Sequence, residues 1–281
     1  MMSISSVIKQ LIPDSVKPVA RHVRYILRGA RYLGTRYHCS VCDMHLRSFV
    51  SLETIMNGKF MSDLDIEDAR HTVYEFETLN VSSFLCPVCG APDKARLYAL
   101  YLSRKLAEVN RSDQIKLIHF APEGGLENFL RLDQRVSYRS ADLLREDVDD
   151  KLDITDMATY QDASVDAFIC SHILEHVSDD RRAMSELYRV LRRGGWGIIM
   201  VPIMLTIDNT YEDPTKITDA ERLKHFGQED HIRVYAKRDF VDRLTTAGFT
   251  VHQLGIEYFG RDVFEMCGLS ETNVLYTVAK K

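Results

Sequence analysis

Short apolar runs alternate with amphipathic stretches through the second half of the chain. Ala167–Cys170 and Trp196–Val201 are continuous apolar runs, the mark of strands buried on both faces. Lys116–Phe120, Tyr138–Asp142, Thr250–Ile256 and Val274–Ala279 read as further strands. Between the two apolar runs, Met184, Leu187, Val190 and Leu191 recur at helical spacing. Gly194-Gly195 is expected to stop that helix. Strand, helix, strand in immediate succession predicts a parallel sheet with a right-handed crossover. Helices are also predicted at Leu126–Leu132, Lys237–Ala247 and Pro92–Ala107, the last with Leu97, Leu100, Tyr101 and Leu106 to pack inward. Upstream lie an apolar stretch, Leu46–Leu52, and a charged one near Asp63–Glu77 that reads as helical.

Composition adds little to this picture and charge adds more. The 281 residues are 45% hydrophobic and 27% charged, ordinary for a globular protein with a substantial core. A net charge of −5 argues against a dedicated nucleic-acid binder. No apolar run is long enough to span a bilayer, and the N-terminus lacks the pattern of a secretory signal, so the cytoplasm is the expected compartment. Residues 1–38 carry seven Lys or Arg against Asp14 alone, a net of +6 that leaves −11 for the remainder. Val19, Val23, Ile26 and Leu27 fit one face of a basic helix there. Such a helix either docks on the main domain or meets a membrane surface or polyanion through residues 1–35.

Four of the six cysteines form two Cys-x-x-Cys pairs, Cys39/Cys42 and Cys86/Cys89. Four thiolates from two such knuckles suit a tetrahedral, structural zinc ion, with no open position for catalysis. Gly90 eases the turn after the second knuckle. Disulfides are disfavoured in a cytoplasmic chain. His38, His45 and His71 lie near enough in sequence to replace a ligand, and nothing requires them. Cys170 and Cys267 read as plain buried residues.

The run Val165–Pro202, with a strand, Ser171-His172, Leu174-Glu175-His176, a helix and Leu191-Arg-Arg-Gly-Gly195, resembles strands four and five of class I S-adenosylmethionine-dependent methyltransferases of the type 11 group. The resemblance extends over about residues 115–280. It implies an α/β fold: a Rossmann-like seven-stranded methyltransferase sheet whose last strand is antiparallel, here joined to a small N-terminal zinc-ribbon-like module. By position, Phe120–Gly125 is the cofactor loop. Ala121 and Glu123 stand where the family has glycines, Gly124 and Gly125 follow, and His119 replaces the usual acid. The resemblance makes Phe120, Ala121, Glu123, Gly124 and Gly125 cofactor contacts, with Glu123 accepting from the cofactor's amino group. Asp142 would bind the ribose hydroxyls, its alternative being a helix N-cap. Asp153 and the Ile154 amide would meet the adenine, and Ser171 would border the site. Glu146, Asp147, Asp149 and Asp150 read as a solvated face.

Methyl transfer to a hydroxyl or protonated amine needs a base near the acceptor. His172, at the end of the fourth strand, is one candidate, its alternative a residue that fixes the strand end; Glu175 and His176 read as packing residues. His231 is the second candidate base, in a polar cluster with His225, Gln228, Asp230, Arg233 and Tyr235 that is assigned to the substrate. A loop stapled by its own hydrogen bonds is the alternative there. Asp208, Tyr211, Glu212 and Asp213 are placed at an acidic substrate mouth. The expected organisation is a basic segment (1–38), a zinc-knuckle module with a linking helix (39–110) and a methyltransferase domain (111–281). The expected activity is methylation of an oxygen or nitrogen of a small molecule or saccharide. An RNA methyltransferase with a zinc-bearing recognition module and a non-catalytic scaffold are the alternatives.

Overall fold

The computed structural model of the chain describes residues 29–56, 64–66, 69–71, 73–110 and 113–281; most of the basic segment, including the helix expected around Val19–Leu27, lies outside them. An N-terminal unit comes first. β1 (Leu33–Cys39) and β2 (Met44–Leu46) pair antiparallel and deliver Cys39 and Cys42 to the hairpin turn. A short helix, α1 (Leu52–Ile55), is capped by the Ser51 hydroxyl, which accepts from the Thr54 amide at 3.2 Å. β3 (Leu64–Ile66) and β4 (Ala69–His71) then pair antiparallel. The charged stretch expected to be helical is therefore a hairpin followed by a single 3-10 turn, Val73–Glu75. α2 (Asp93–Ala107) leads into the main sheet and buries Leu97, Tyr98, Leu102 and Leu106.

The main sheet is built from β5 (Ile115–Phe120), α3 (Gly124–Arg131), β6 (Val136–Asp142), β7 (Asp150–Lys151), β8 (Val165–Ser171), α4 (Asp180–Val190) and β9 (Leu191–Met200). β10 (Ile203–Met204), β11 (Tyr211–Glu212), α5 (Asp219–Phe226) and β12 (Arg233–Ala236) form an insertion beyond its carboxyl edge. α6 (Lys237–Thr246), β13 (Thr250–Leu254), α7 (Ile256–Phe259), α8 (Arg261–Met266) and β14 (Leu275–Ala279) complete the chain. The seven strands lie in the order β13-β14-β9-β8-β5-β6-β7. β14 is antiparallel to both neighbours, and β5 to β9 run parallel. This is the expected Rossmann-like α/β sheet with its last strand reversed. Its strand order reverses between β5 and β8, and the crevice outside the carboxyl ends at such a reversal is where open α/β sheets bind ligands.

Gly194-Gly195 does not end a helix. α4 stops at Val190, and Leu191 is already extended. β9 then carries a bulge against β8, where Val165 faces Leu191 but Ala167 faces Trp196. Gly194 absorbs the extra residues at φ +74, and a Cβ on Gly195 would stand 2.8 Å from the Asp166 carbonyl oxygen. Bulges need a residue that tolerates this backbone. The insertion makes its own three-stranded sheet, β10-β12-β11, tied to the turn after β8 by Arg233 and the Ile232 amide. Among the described residues no helix is long and apolar enough to cross a membrane.

Candidate active site

The two knuckles converge as their spacing implies. The sulfur atoms of Cys39, Cys42, Cys86 and Cys89 all lie within 4.8 Å of one another. Cys39 and Cys89 are 3.7 Å apart, and Cys42 and Cys86 3.9 Å. Thiolates around a tetrahedral ion with metal–sulfur bonds of about 2.3 Å are separated by about 3.8 Å. Each knuckle closes on a backbone bond, Asp43 N to Cys39 O at 2.8 Å and Gly90 N to Cys86 O at 2.9 Å. Each is followed by a left-handed residue, Asp43 at φ +59 and Gly90 at φ +74. Hydrogen bonding among the four sulfurs pushes Cys42 and Cys89 up and Cys39 and Cys86 down. His38 instead pairs with Asp43 at 2.8 Å. The second knuckle also braces α3, because the Gly125 Cα leaves only 3.4 Å between a would-be Cβ and the Cys89 carbonyl oxygen.

The crevice is framed by two strained turns. Ala121, after β5, sits at φ +46, and His172, after β8, at φ +53. Each amide still bonds the next strand, Ala121 N to Ala141 O and His172 N to Met200 O, both 2.8 Å. Left-handed non-glycine residues cost about 1–3 kcal/mol and collect at functional sites. Ala121 thus adopts the backbone that glycine ordinarily supplies. Phe120 is buried, Gly124 opens α3 with free space where a side chain would be, and Gly125 is half-buried. Asp142 does not cap a helix. Its Oδ1 accepts from the amides of Leu144 (2.7 Å) and Arg145 (2.9 Å), which fixes the carboxylate at the end of β6. Asp153 is held likewise by the Thr155 amide and hydroxyl, both 2.8 Å, and Ile154 beside it is buried.

His119 is fully buried and replaces a carboxylate with an imidazole, yet the negative charge is not lost. Glu123 folds back so that its Oε2 lies 2.8 Å from His119 Nε2, while Ser171 Oγ donates to its Oε1 at 2.9 Å. Tyr138 OH holds the other ring nitrogen of His119 at 3.1 Å, and Tyr98 OH meets Ser171 Oγ at 3.0 Å. Burial alone would raise the Glu123 pKa, but the His119 contact, Lys94 at 3.9 Å and Ser171 bring it down to about 2. A group with a depressed folded-state pKa adds stability above its unfolded pKa and loses it as pH falls through the folded one. The stability gap between the wild type and Glu123→Gln is therefore expected to be full above pH 4.5 and to close toward pH 2. Urea melts of both proteins across that range check it; a gap independent of pH would contradict it.

Beside the crevice lies a cavity of about 290 Å³. Its walls are largely apolar, among them Phe76, Leu79, Phe84, Ile203 and Phe226, and Leu52 and Met56 from the N-terminal unit close one side. Lys94, His172, Gln228 and His231 supply polar groups. His231 is buried. Its Nδ1 lies 3.2 Å from the Phe226 carbonyl, which only accepts, so that nitrogen carries the proton and Nε2 is bare. Burial is the main cause that lowers its pKa, against the pull of Glu175.

The rest of the polar cluster is spent on structure. Arg233 is buried and donates to the carbonyls of Leu174, Val177 and Ser178. Tyr235 is buried and donates to Asp180 at 2.6 Å. His225 bonds Tyr211 OH at 3.1 Å. Asp230 is exposed and sits 3.2 Å from His176. Glu212 is exposed, but its carboxylate is engaged by the buried Arg233 and Arg243. Glu146, Asp147, Asp149 and Asp150 each pair with an arginine or lysine at the surface. Glu175 and His176, expected as helix packing residues, occupy the turn before α4. Lys94, Arg96 and Tyr98 on α2 were not legible as functional positions, because polar residues on an amphipathic helix ordinarily face solvent.

Residues 130–199 match the family described as "Methyltransferase domain". The matched stretch runs from the end of α3 through β9, and so includes Asp142, Asp153 and the Ser171–His176 turn. The solved structures that the chain resembles include the CurJ carbon methyltransferase, 14% identical with a TM-score of 0.43, over 67% of this chain and 58% of that one. Another is an S-adenosylmethionine-dependent methyltransferase from Archaeoglobus fulgidus, 12% identical with a TM-score of 0.42, over 66% of this chain and 94% of that one. No curated protein matches.

Proposed function

We propose that this chain transfers a methyl group from S-adenosylmethionine to an oxygen or nitrogen of a small molecule, and that its four clustered cysteines hold a structural zinc ion. The observation that carries the reading is the pair of left-handed turns at Ala121 and His172. They flank the point where the strand order reverses and open beside a largely apolar cavity.

The residues fit a nucleoside sulfonium. Asp142 has one oxygen fixed by two amides, which leaves the other to accept from a vicinal diol. The Ile154 amide and the Asp153 turn border the end of β7, the place for a flat base. The first amides of α3 are uncapped by any side chain and lie next to open space at Gly124, suited to a carboxylate. Glu123, ionised at neutral pH, supplies the anion for an ammonium group. When bound, the donor supplies an activated methyl electrophile, so the protein need only position the acceptor and take its proton. His172 and His231 line the cavity where the acceptor would sit. The bare Nε2 of His231 suits it to proton removal. The mainly apolar walls favour an acceptor with an apolar body over a bare saccharide. Lys94, between Glu123 and the cavity, would steer an anionic group of donor or acceptor.

Calorimetry with S-adenosylhomocysteine tests the reading without knowledge of the acceptor. The wild type is expected to bind, and Asp142→Ala to bind at least about tenfold more weakly, the value of one charge-assisted hydrogen bond. Absence of binding to the wild type at millimolar ligand would remove the methyl donor and the proposal with it.

A further inference from the structure

One buried group is left without a use by this reading. Glu175 is fully buried, and neither of its carboxylate oxygens accepts a hydrogen bond from the described residues. His172 Nδ1 lies 3.1 Å from Oε1 but not in line for a hydrogen bond. A buried carboxylate with no hydrogen bond and only the His172 imidazole as a close ion partner is costly, and a bound cation would offset that cost. Its surroundings are unusual. The ligand atoms of Glu175, His176 and His231 lie within 4.8 Å of one another. The His176 and His231 rings stand edge to face, with centroids 4.7 Å apart.

We propose that Glu175, His176 and His231, with His172 at the rim, form a binding site for a first-row divalent transition-metal cation at the wall of the acceptor cavity. Two imidazoles and one carboxylate are the donors that such ions prefer, and three protein ligands leave coordination positions open. The outer contacts match what ligating histidines need. His231 donates its Nδ1 proton to the Phe226 carbonyl, so Nε2 is presented as the ligand atom. His176 has its Nδ1 beside the Asp230 carbonyl and carboxylate, at 3.3 and 3.2 Å, which turns its Nε2 away from them. A backbone bond from Ile232 N to Glu175 O, 3.0 Å, locks the Glu175 turn to the segment that carries His231. Lys94 also feels this carboxylate, but its charge is shared with Glu123, 3.9 Å away, and with Asp93. The site is separate from the cysteine cluster in donor chemistry, nitrogen and oxygen against sulfur.

The placement deepens the methyl-transfer reading, on which this consequence rests: an acceptor hydroxyl in the cavity could complete the coordination sphere. The acceptor class would then be an oxygen nucleophile able to ligate a cation, such as a vicinal diol or an α-hydroxy carbonyl compound. His231 would serve as a ligand to the cation instead of as a free base.

The test uses the full chain with zinc in its cysteine cluster, titrated with Co2+ and followed by calorimetry and visible absorption. One further Co2+ per chain is expected, with the weak ligand-field bands of nitrogen and oxygen donors and no sulfur charge-transfer band. His176→Ala, at a partly exposed position, and Glu175→Gln are each expected to weaken Co2+ binding at least tenfold, while zinc content and S-adenosylhomocysteine affinity stay as in the wild type. Failure of the wild type to take up Co2+ would overturn the proposal, as would unchanged uptake in His176→Ala. Co2+ uptake without S-adenosylhomocysteine binding would keep the cation site and remove the methyl donor; the converse result would do the reverse.

Discussion

Arg96→Ala is expected to destabilise the protein by about 3–5 kcal/mol, a large part of the 5–15 kcal/mol that holds a typical domain together. Arg96 is fully buried in α2, and its guanidinium donates to five carbonyls: those of Phe84, Ala91 and Ser83 around the second knuckle, and those of Cys267 and Gly268 after α8. Its plane also lies over the Phe49 ring, 3.8 Å from the centroid. The Ser40 hydroxyl bonds the Arg96 carbonyl at 2.7 Å, so the first knuckle is tied to the same residue. Alanine would take the side-chain donor from the carbonyls of Ser83, Phe84 and Cys267, each a desolvation penalty, while Ala91 keeps the Cys86 amide and Gly268 the Asn80 side chain. Lysine cannot replace the fork and is expected to rescue little. Urea denaturation followed by circular dichroism measures the loss; a change below about 1 kcal/mol would show that the hub is dispensable.

On the proposal that the cysteine cluster holds zinc, removal of that ion is expected to have the second largest effect. Cys86→Ser, or a strong chelator, should abolish the bound zinc. Structural zinc sites supply about 10–16 kcal/mol in small metal-dependent folds, and this cluster joins β1, the loop before α2 and α2 itself. The consequence should reach the crevice, because Gly125 packs on Cys89 and Ala91 at the base of the loop that would seat the methyl donor. Loss of metal should therefore raise amide hydrogen exchange through residues 29–56 and 76–92 and weaken S-adenosylhomocysteine binding at least about tenfold. A metal-free protein with unchanged exchange and unchanged affinity would separate the two sites.

The strands of the parallel sheet were legible because burial on both faces forces continuous apolar runs, as in Ala167–Cys170. The two knuckles were legible because thiol spacing constrains metal geometry tightly. Other features were not. Gly194-Gly195 satisfies a strand bulge as readily as a helix end, and only the pairing of Val165 and Ala167 with β9 distinguishes the two. The charged run near Asp63 reads as helical by composition, and pairing between β3 and β4 overrides that preference. The dense polar cluster His225–Tyr235 looked like a binding loop. Its Arg233 and Tyr235 instead satisfy carbonyls and a carboxylate that the turn after β8 leaves buried. Arg96 was invisible for the opposite reason, since a lone arginine among apolar helix positions gives no sign that five carbonyls from distant loops will meet it. His119 stands where the resemblance leads one to expect an acid, and the fold-back of Glu123 onto that histidine, which no spacing predicts, brings a carboxylate to the same place.

A crystal structure of the full chain with S-adenosylhomocysteine bound tests the central claim most directly. The account predicts the ribose on Asp142, the amino group near Glu123, and the sulfur at the His172 turn with its open side toward the cavity between His172 and His231. A ligand seated elsewhere, or a crevice still filled by the inward Glu123 side chain at saturating ligand, would contradict it.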